Sequence, residues 1–219
     1  AHKAGVEMVL SLGAEGDGSL MEAVREAQPL TSVEPCTTND LAAILYTSGT
    51  TGRSKGAMLT HDNLLSNGLV LHEYWQWVEG DVLLHALPIF HVHGLFVALH
   101  CALLNGSRII FLDKFDVDRV VEELPKSTVL MGVPTFYVRL LEADGFDRDL
   151  CATMRLFISG SAPLLAETFT TFEARTGQPI LERYGMTEAG MITSNPYSGS
   201  RVPGTVGVAL PGVTARGVD

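Results

Sequence analysis

The sequence predicts an α/β fold, a mainly parallel sheet covered by helices, and three observations lead there. From Val82 to Arg183, short apolar runs alternate with helix-length segments, the pattern of strand–helix–strand units. Hydrophobic residues make up 46% of 219, ample for a sizeable core. The stretches able to carry chemistry fall in loops after strand-like runs, where open α/β sheets bind their ligands.

Taken in order, residues 6–12 read as a strand, and Ser19-Leu20-Met21-Glu22 as a capping box opening a short helix to about Ala27. Pro29 and Pro35 bracket a polar connector. The apolar run 41–45 and the short segment 57–59 read as two buried strands with a loop between them. Asp62 and Asn63 open an amphipathic helix through Trp77, in which Trp75 and Trp77 serve packing. Strands are then expected at 82–86, 108–112, 128–131, 155–158 and 180–183. Helices are expected at 95–104, 116–124, 135–143 and 164–175. Residues 1–195 thus form an α/β core portion, and 196–219, rich in Gly, Pro and Val, the start of a smaller β-rich element.

The formal net charge of −10 argues against a nucleic-acid partner and against docking on anionic lipid. Cys36, Cys101 and Cys151 are odd in number and widely spaced, so neither a disulfide framework nor a CxxC metal site is indicated, and a cytoplasmic location is expected. The start of the chain has no signal-peptide pattern. Between Asp81 and Arg108 no Asp, Glu, Lys or Arg occurs, which imitates a membrane span. Pro88, Gly94 and four histidines interrupt it, and it reads as buried strand, loop and buried helix.

The organising stretch is Tyr46-Thr47-Ser48-Gly49-Thr50-Thr51-Gly52-Arg53-Ser54-Lys55-Gly56. Its glycines let backbone N–H groups turn inward, its hydroxyls add donors, and Arg53 and Lys55 add positive charge, a combination suited to a phosphate chain. It is not a Walker loop, because Ser54 stands where the second glycine should be. This run resembles the signature loop of the adenylate-forming superfamily, which includes acyl-CoA synthetases, peptide-synthetase adenylation domains and luciferase. The resemblance implies that Thr47, Ser48, Gly49, Thr50, Thr51, Gly52 and Lys55 hold the phosphates of ATP while a carboxylate attacks the α-phosphorus. It also implies coenzyme A as acceptor, or a carrier-protein phosphopantetheine in its place.

Three further stretches fit that pattern. Ser159-Gly160-Ser161-Ala162-Pro163 is a turn of small residues that leaves room for a flat ring, and in the resembling family it borders the adenine pocket. Tyr184-Gly185-Met186-Thr187-Glu188 offers a ring for stacking, a hydroxyl for a phosphate oxygen and a hard oxygen ligand. The resemblance gives Tyr184 and Gly185 to the nucleotide, Thr187 to phosphate and catalysis, and Glu188 to Mg²⁺. Leu87 to Gly94 resembles the family motif in which His91 lies beside the carboxylate; His85, His93 and His100 read as satisfied core histidines. Metal binding by His91 and His93 is not indicated, since no cysteine or carboxylate stands near to complete a ligand set.

In the stretch from Gly132 to Leu141, proline opens a helix whose apolar stripe holds Phe136, Tyr137, Leu140 and Leu141. Arg139 lies on the other side, either pairing with Glu142 or receiving a second carboxylate of the substrate. Within the superfamily, these stretches resemble the malonyl-CoA synthetases. That resemblance makes the 219 residues a central part of the large domain, lacking an N-terminal portion and a small C-terminal domain needed for catalysis, and inactive alone. A nucleotide-binding module without catalysis stands as the alternative.

Overall fold

The computed structural model describes residues 5–47 and 54–217, which divide into one unit up to Cys36 and a second from Thr37 onward. In the first unit residues 6–12 form no strand, and the single helix α1 spans Ser19–Glu26. The expected capping box is not formed. Gly18 takes the cap position at φ +108°, where an added Cβ would lie 2.6 Å from the Ser11 carbonyl oxygen, and the Ser19 hydroxyl instead accepts from the Ser11 N–H at 2.9 Å.

The second unit opens with an antiparallel pair, β1 (Leu41–Thr47) and β2 (Lys55–Thr60). Most of its side chains are exposed, Leu41, Ile44, Tyr46 and Met58 among them, so the expectation of two buried strands fails. Thr60 then caps α2 (His61–Tyr74) through a true capping box with Asn63, each side chain bonding the other's backbone N–H.

A seven-stranded sheet follows, in the order β4-β3-β5-β6-β7-β8-β9. Its strands are β3 (Val82–His85), β4 (Arg108–Phe111), β5 (Val129–Gly132), β6 (Leu156–Ser159), β7 (Leu181–Met186), β8 (Gly190–Ser194) and β9 (Val208–Ala209). The first five positions in that order are parallel; β8 and β9 are antiparallel additions, β8 without a counterpart in the expected strands and β9 inside the expected β-rich element 196–219. Between β3 and β4 runs a π-helix, His93–Leu99, continued by α3 (His100–Asn105). The other crossovers carry α4 (Val117–Glu123), α5 (Pro134–Leu141) and α6 (Ala166–Thr176), with Asp116 capping α4 and proline opening α5.

Successive strand residues point to opposite faces and feed two cores. Leu83, Val129, Met131, Leu156 and Ile158 pack against α2, the π-helix and α3, burying Trp75 and Trp77 as expected. Leu84, Leu130 and Phe157 face α4, α5 and α6, where Tyr137, Phe157 and Phe172 meet edge to face. No helix among the described residues is long and apolar enough to cross a membrane.

The amino ends of the central strands are stapled together. Asp81 precedes β3 and is 2% exposed; both of its carboxylate oxygens accept from Arg155, which precedes β6, and Oδ1 also accepts from Thr128, which precedes β5. Burial alone would raise the Asp81 carboxyl, but hydrogen bonds from Arg155, the Val78 N–H and Thr128 outweigh it and hold the group below its usual value.

Candidate active site

The opposite, carboxyl edge gathers most of the predicted residues. His85 ends β3, Gly132 ends β5 and Ser159 ends β6, while Arg183 sits in β7 just beyond the rung where Ser159 faces Glu182. Ser159 is buried, and its hydroxyl has no partner among the described residues. The turn after it exposes Ser161, Ala162 and Pro163, with Ser161 in the left-handed region at φ +69°. Glu182 steadies the exit of this turn by accepting from the Leu164 N–H at 3.0 Å. Burial raises the Glu182 carboxyl, and that N–H partly offsets the rise.

His91 is exposed in the loop after β3, and its Nδ1 accepts from the His93 N–H at 3.2 Å. The neutral ring must therefore carry its proton on Nε2, which leaves an N–H donor free for a ligand. Partial burial and then the charge of Arg183 lower its pKa. His93 is buried, and its Nδ1 shares a hydrogen bond of 3.1 Å with the Ser161 hydroxyl. Burial, then the charge of Arg183 and the neighbouring His91 and His85, hold the His93 ring well below the usual histidine range.

The expectation of satisfied core histidines needs correction. Both ring nitrogens of buried His85, Nε2 of His93 and Nδ1 of half-buried His100 lack partners among the described residues. Burial is what lowers the pKa of His85 and of His100.

Arg183 was overlooked in the sequence. It is 3% exposed, and its Nε and Nη2 have no hydrogen-bond partner among the described residues. Burial pushes its pKa down to about 10. The backbone of Gly160 lies against the guanidinium so closely that an added Cβ would stand 2.4 Å from Cζ. A buried, unpaired cation is costly unless a counter-charge arrives, and this one faces the turn of small residues. The available signal was the adjacent charged pair Glu182-Arg183 inside a strand-like run, a place where charged side chains are seldom buried without a task.

Tyr184 to Glu188 forms a β-hairpin, with Thr187, Glu188 and Ala189 in the turn between β7 and β8 and Gly190 at φ +66° completing it. The Tyr184 ring is 47% exposed, open to a stacking partner. The Thr47 hydroxyl at the end of β1 donates to Glu188 Oε1 at 3.5 Å, so the start of the glycine-rich loop reaches the hairpin tip. A cavity of about 350 Å³ flanks the tip, lined in part by Asn67, Val92, Phe96, Thr187 and Glu188. Lys55 is exposed opposite Thr47 in the strand register. Ser48, Gly49, Thr50, Thr51 and Gly52 lie outside the described residues.

Arg139 is not drawn into this cluster. It is exposed on α5 with its guanidinium 4.9 Å from the ring of Phe115, which stacks on Phe136, and it makes no ion pair with Glu142. The donor set suits magnesium nucleotide: Mg²⁺ favours one or two carboxylates completed by phosphate and water, and Glu188 is an exposed carboxylate beside two hydroxyls.

The sheet and its loops are those of an α/β fold, and a family model described as AMP-binding enzyme matches residues 2–219. The chain belongs to the AMP-binding enzyme family. Within it, the mitochondrial malonate–CoA ligase ACSF3 of Mus musculus is 44% identical over 191 residues, covering 80% of this chain and 33% of the relative. The ATP-bound crystal structure of MatB from Rhodopseudomonas palustris superposes with a TM-score of 0.93 at 56% identity, over 96% of this chain and 42% of that one. A malonyl-CoA ligase in a ternary product complex with methylmalonyl-CoA and AMP superposes with a TM-score of 0.79 at 40% identity, over 85% of this chain and 41% of that one. The chain therefore spans about a third of the length of the curated relative.

Proposed function

We propose that the protein containing this chain is an AMP-forming acyl-CoA synthetase that activates malonate or a close short dicarboxylate such as methylmalonate. The observation that carries the reading is Arg183, a buried guanidinium without a counter-charge at the edge where the nucleotide loops meet. An acid with a single carboxylate would spend its charge at phosphorus and leave that cation unpaired; a second carboxylate supplies the missing partner in two-pronged geometry. The malonate–CoA ligases and MatB among its relatives support the same substrate class.

The chemistry is an in-line displacement. A carboxylate oxygen attacks the α-phosphorus of ATP, the bond to the bridging oxygen breaks, and pyrophosphate leaves with its electron pair. Coenzyme A then attacks the acyl carbonyl through its thiol and releases AMP. Mg²⁺, when bound, neutralises charge on the departing phosphates, and Glu188 would hold it. Thr47, Thr187 and the glycine-rich loop donate to phosphate oxygens, Tyr184 and the 159–163 turn enclose adenine, and the Nε2–H of His91 orients the reacting carboxylate. The three cysteines are free thiols, which suits a reducing compartment, the cytosol or the interior of the mitochondrion named for the mouse relative.

Pyrophosphate–ATP exchange in the full-length protein tests the reading. Exchange should require malonate, and a response to a long-chain fatty acid that ignores malonate overturns the substrate. Arg183→Met should raise the KM for malonate at least about 100-fold while ATP still binds, the loss of a desolvated charge pair. Arg139→Ala should change the malonate KM less than threefold; a larger change would return the second carboxylate to Arg139. The 219-residue chain alone should bind ATP and show little or no exchange.

A further inference from the structure

Two loops from different crossovers meet at His93. The loop after β3 delivers it as the first residue of the π-helix, where an added Cβ on the following Gly94 would stand 2.2 Å from the Pro88 carbonyl oxygen. The turn after β6 delivers Ser161. That residue and Gln76 are the two non-glycine residues with positive φ among the described residues. The left-handed region costs a side-chain-bearing residue free energy, so something must hold Ser161 there. Its hydroxyl reaches into the fold and pairs with Nδ1 of His93, which is 2% exposed. The His93 backbone N–H in turn fixes His91. π-Helical segments are rare and are frequently found at functional sites.

We propose that His93 is a positioning residue for the nucleotide: its Nδ1 clamps Ser161 in the left-handed conformation and so sets the height of the turn against which the adenine ring lies. The proposal rests on the reading of residues 159–163 as the adenine border. Its consequence is an unusual ranking at Ser161. Glycine tolerates the left-handed backbone without a clamp, whereas alanine keeps the strain and loses the bond. Asparagine can place a side-chain nitrogen or oxygen near the position of Nδ1, whereas glutamine mimics Nε2 and leaves Ser161 unheld.

The experiment measures KM for ATP and for malonate by pyrophosphate exchange in the full-length protein carrying Ser161→Ala, Ser161→Gly, His93→Asn or His93→Gln. Ser161→Ala and His93→Gln should each raise the KM for ATP about tenfold. Ser161→Gly and His93→Asn should recover most of that loss, the malonate KM should stay within twofold throughout, and Ser161→Ala combined with His93→Gln should be no worse than either alone. Equal impairment by Ser161→Ala and Ser161→Gly, or a shift in the malonate KM instead, overturns the clamp. Should the buried His93 variants fail to fold, the exposed Ser161 pair decides. Direct ATP binding to the same variants separates the two proposals: the ranking must appear in ATP affinity even where exchange proves independent of malonate.

Discussion

The two edges of the parallel sheet treat an arginine in opposite ways, Arg155 part-buried at one and Arg183 buried at the other. At the amino edge Arg155 closes on Asp81 with two hydrogen bonds, Thr128 joins them, and the aromatic face of Tyr197 lies 5.2 Å from the guanidinium carbon. At the carboxyl edge Arg183 makes no ion pair among the described residues, and the titratable groups that feel its charge are His91, His93 and Tyr137. One edge spends its charge on holding strands together; the other keeps its charge in reserve. The paired and the unpaired charge are thus separated along the strand axis, with the residues of the two edges about four apart in β3, β5 and β6.

The sharpest way to break this comparison is one substitution made at both edges. Arg155→Met strands Asp81 as a buried charge and should cost about 3–5 kcal/mol in denaturant unfolding, whereas Arg183→Met removes an uncompensated charge and should be neutral or stabilising. Equal losses would abolish the distinction. Gly160→Ala should cost about 1–3 kcal/mol and impair malonate use, because the new methyl collides with the Arg183 guanidinium. Acid should then resolve the edges in sequence. His85, His91, His93 and His100 have lowered folded pKa values, so the unfolded chain binds more protons and stability falls as pH drops below about 6.5, continuing through the folded values. Asp81, lowered from 3.8, keeps its contribution above that value and loses it only as pH falls further through its folded pKa. Unfolding midpoints across pH should therefore drop in two stages, and Arg155→Met should remove the second. Thr60→Ala, at neither edge, should cost about 1 kcal/mol by removing the α2 cap and leave both stages unchanged.

These differences set what could be read beforehand. Parallel strands flanked by helices on both faces leave unbroken apolar runs, so β3, β5 and β6 were legible to within a residue or two. β1 looked equally apolar, yet apolarity reports a tendency to be covered and cannot name what covers it. β8 was missed because its register depends on a hairpin whose tip is Thr187 to Ala189, a run that reads as site chemistry. Ser19 offered a capping pattern, but Gly18 reached the cap conformation at no steric cost. Tyr184, Thr187 and Glu188 were legible because turn chemistry is local. The isolation of Arg183 was not, since it arises from Gly160 and Ser159 more than twenty residues upstream.

The wide-turned segment His93–Leu99 carries a last implication for how the molecule can vary. A helix holding a surplus residue in its turn can shed it quietly: removing one position between 95 and 98 would let the segment tighten to α-helical geometry while the residues ahead of it keep their phase relative to Cys101 and Ala102, which stay anchored in the core. His91 and His93 would then keep their direction at the carboxyl edge while i→i−4 hydrogen bonds replaced the wide ones. A chain that lost a single residue at this point would therefore keep both its shape and the aim of these histidines, whereas one lost from α3, which holds no surplus, would turn the preceding segment by about 100°.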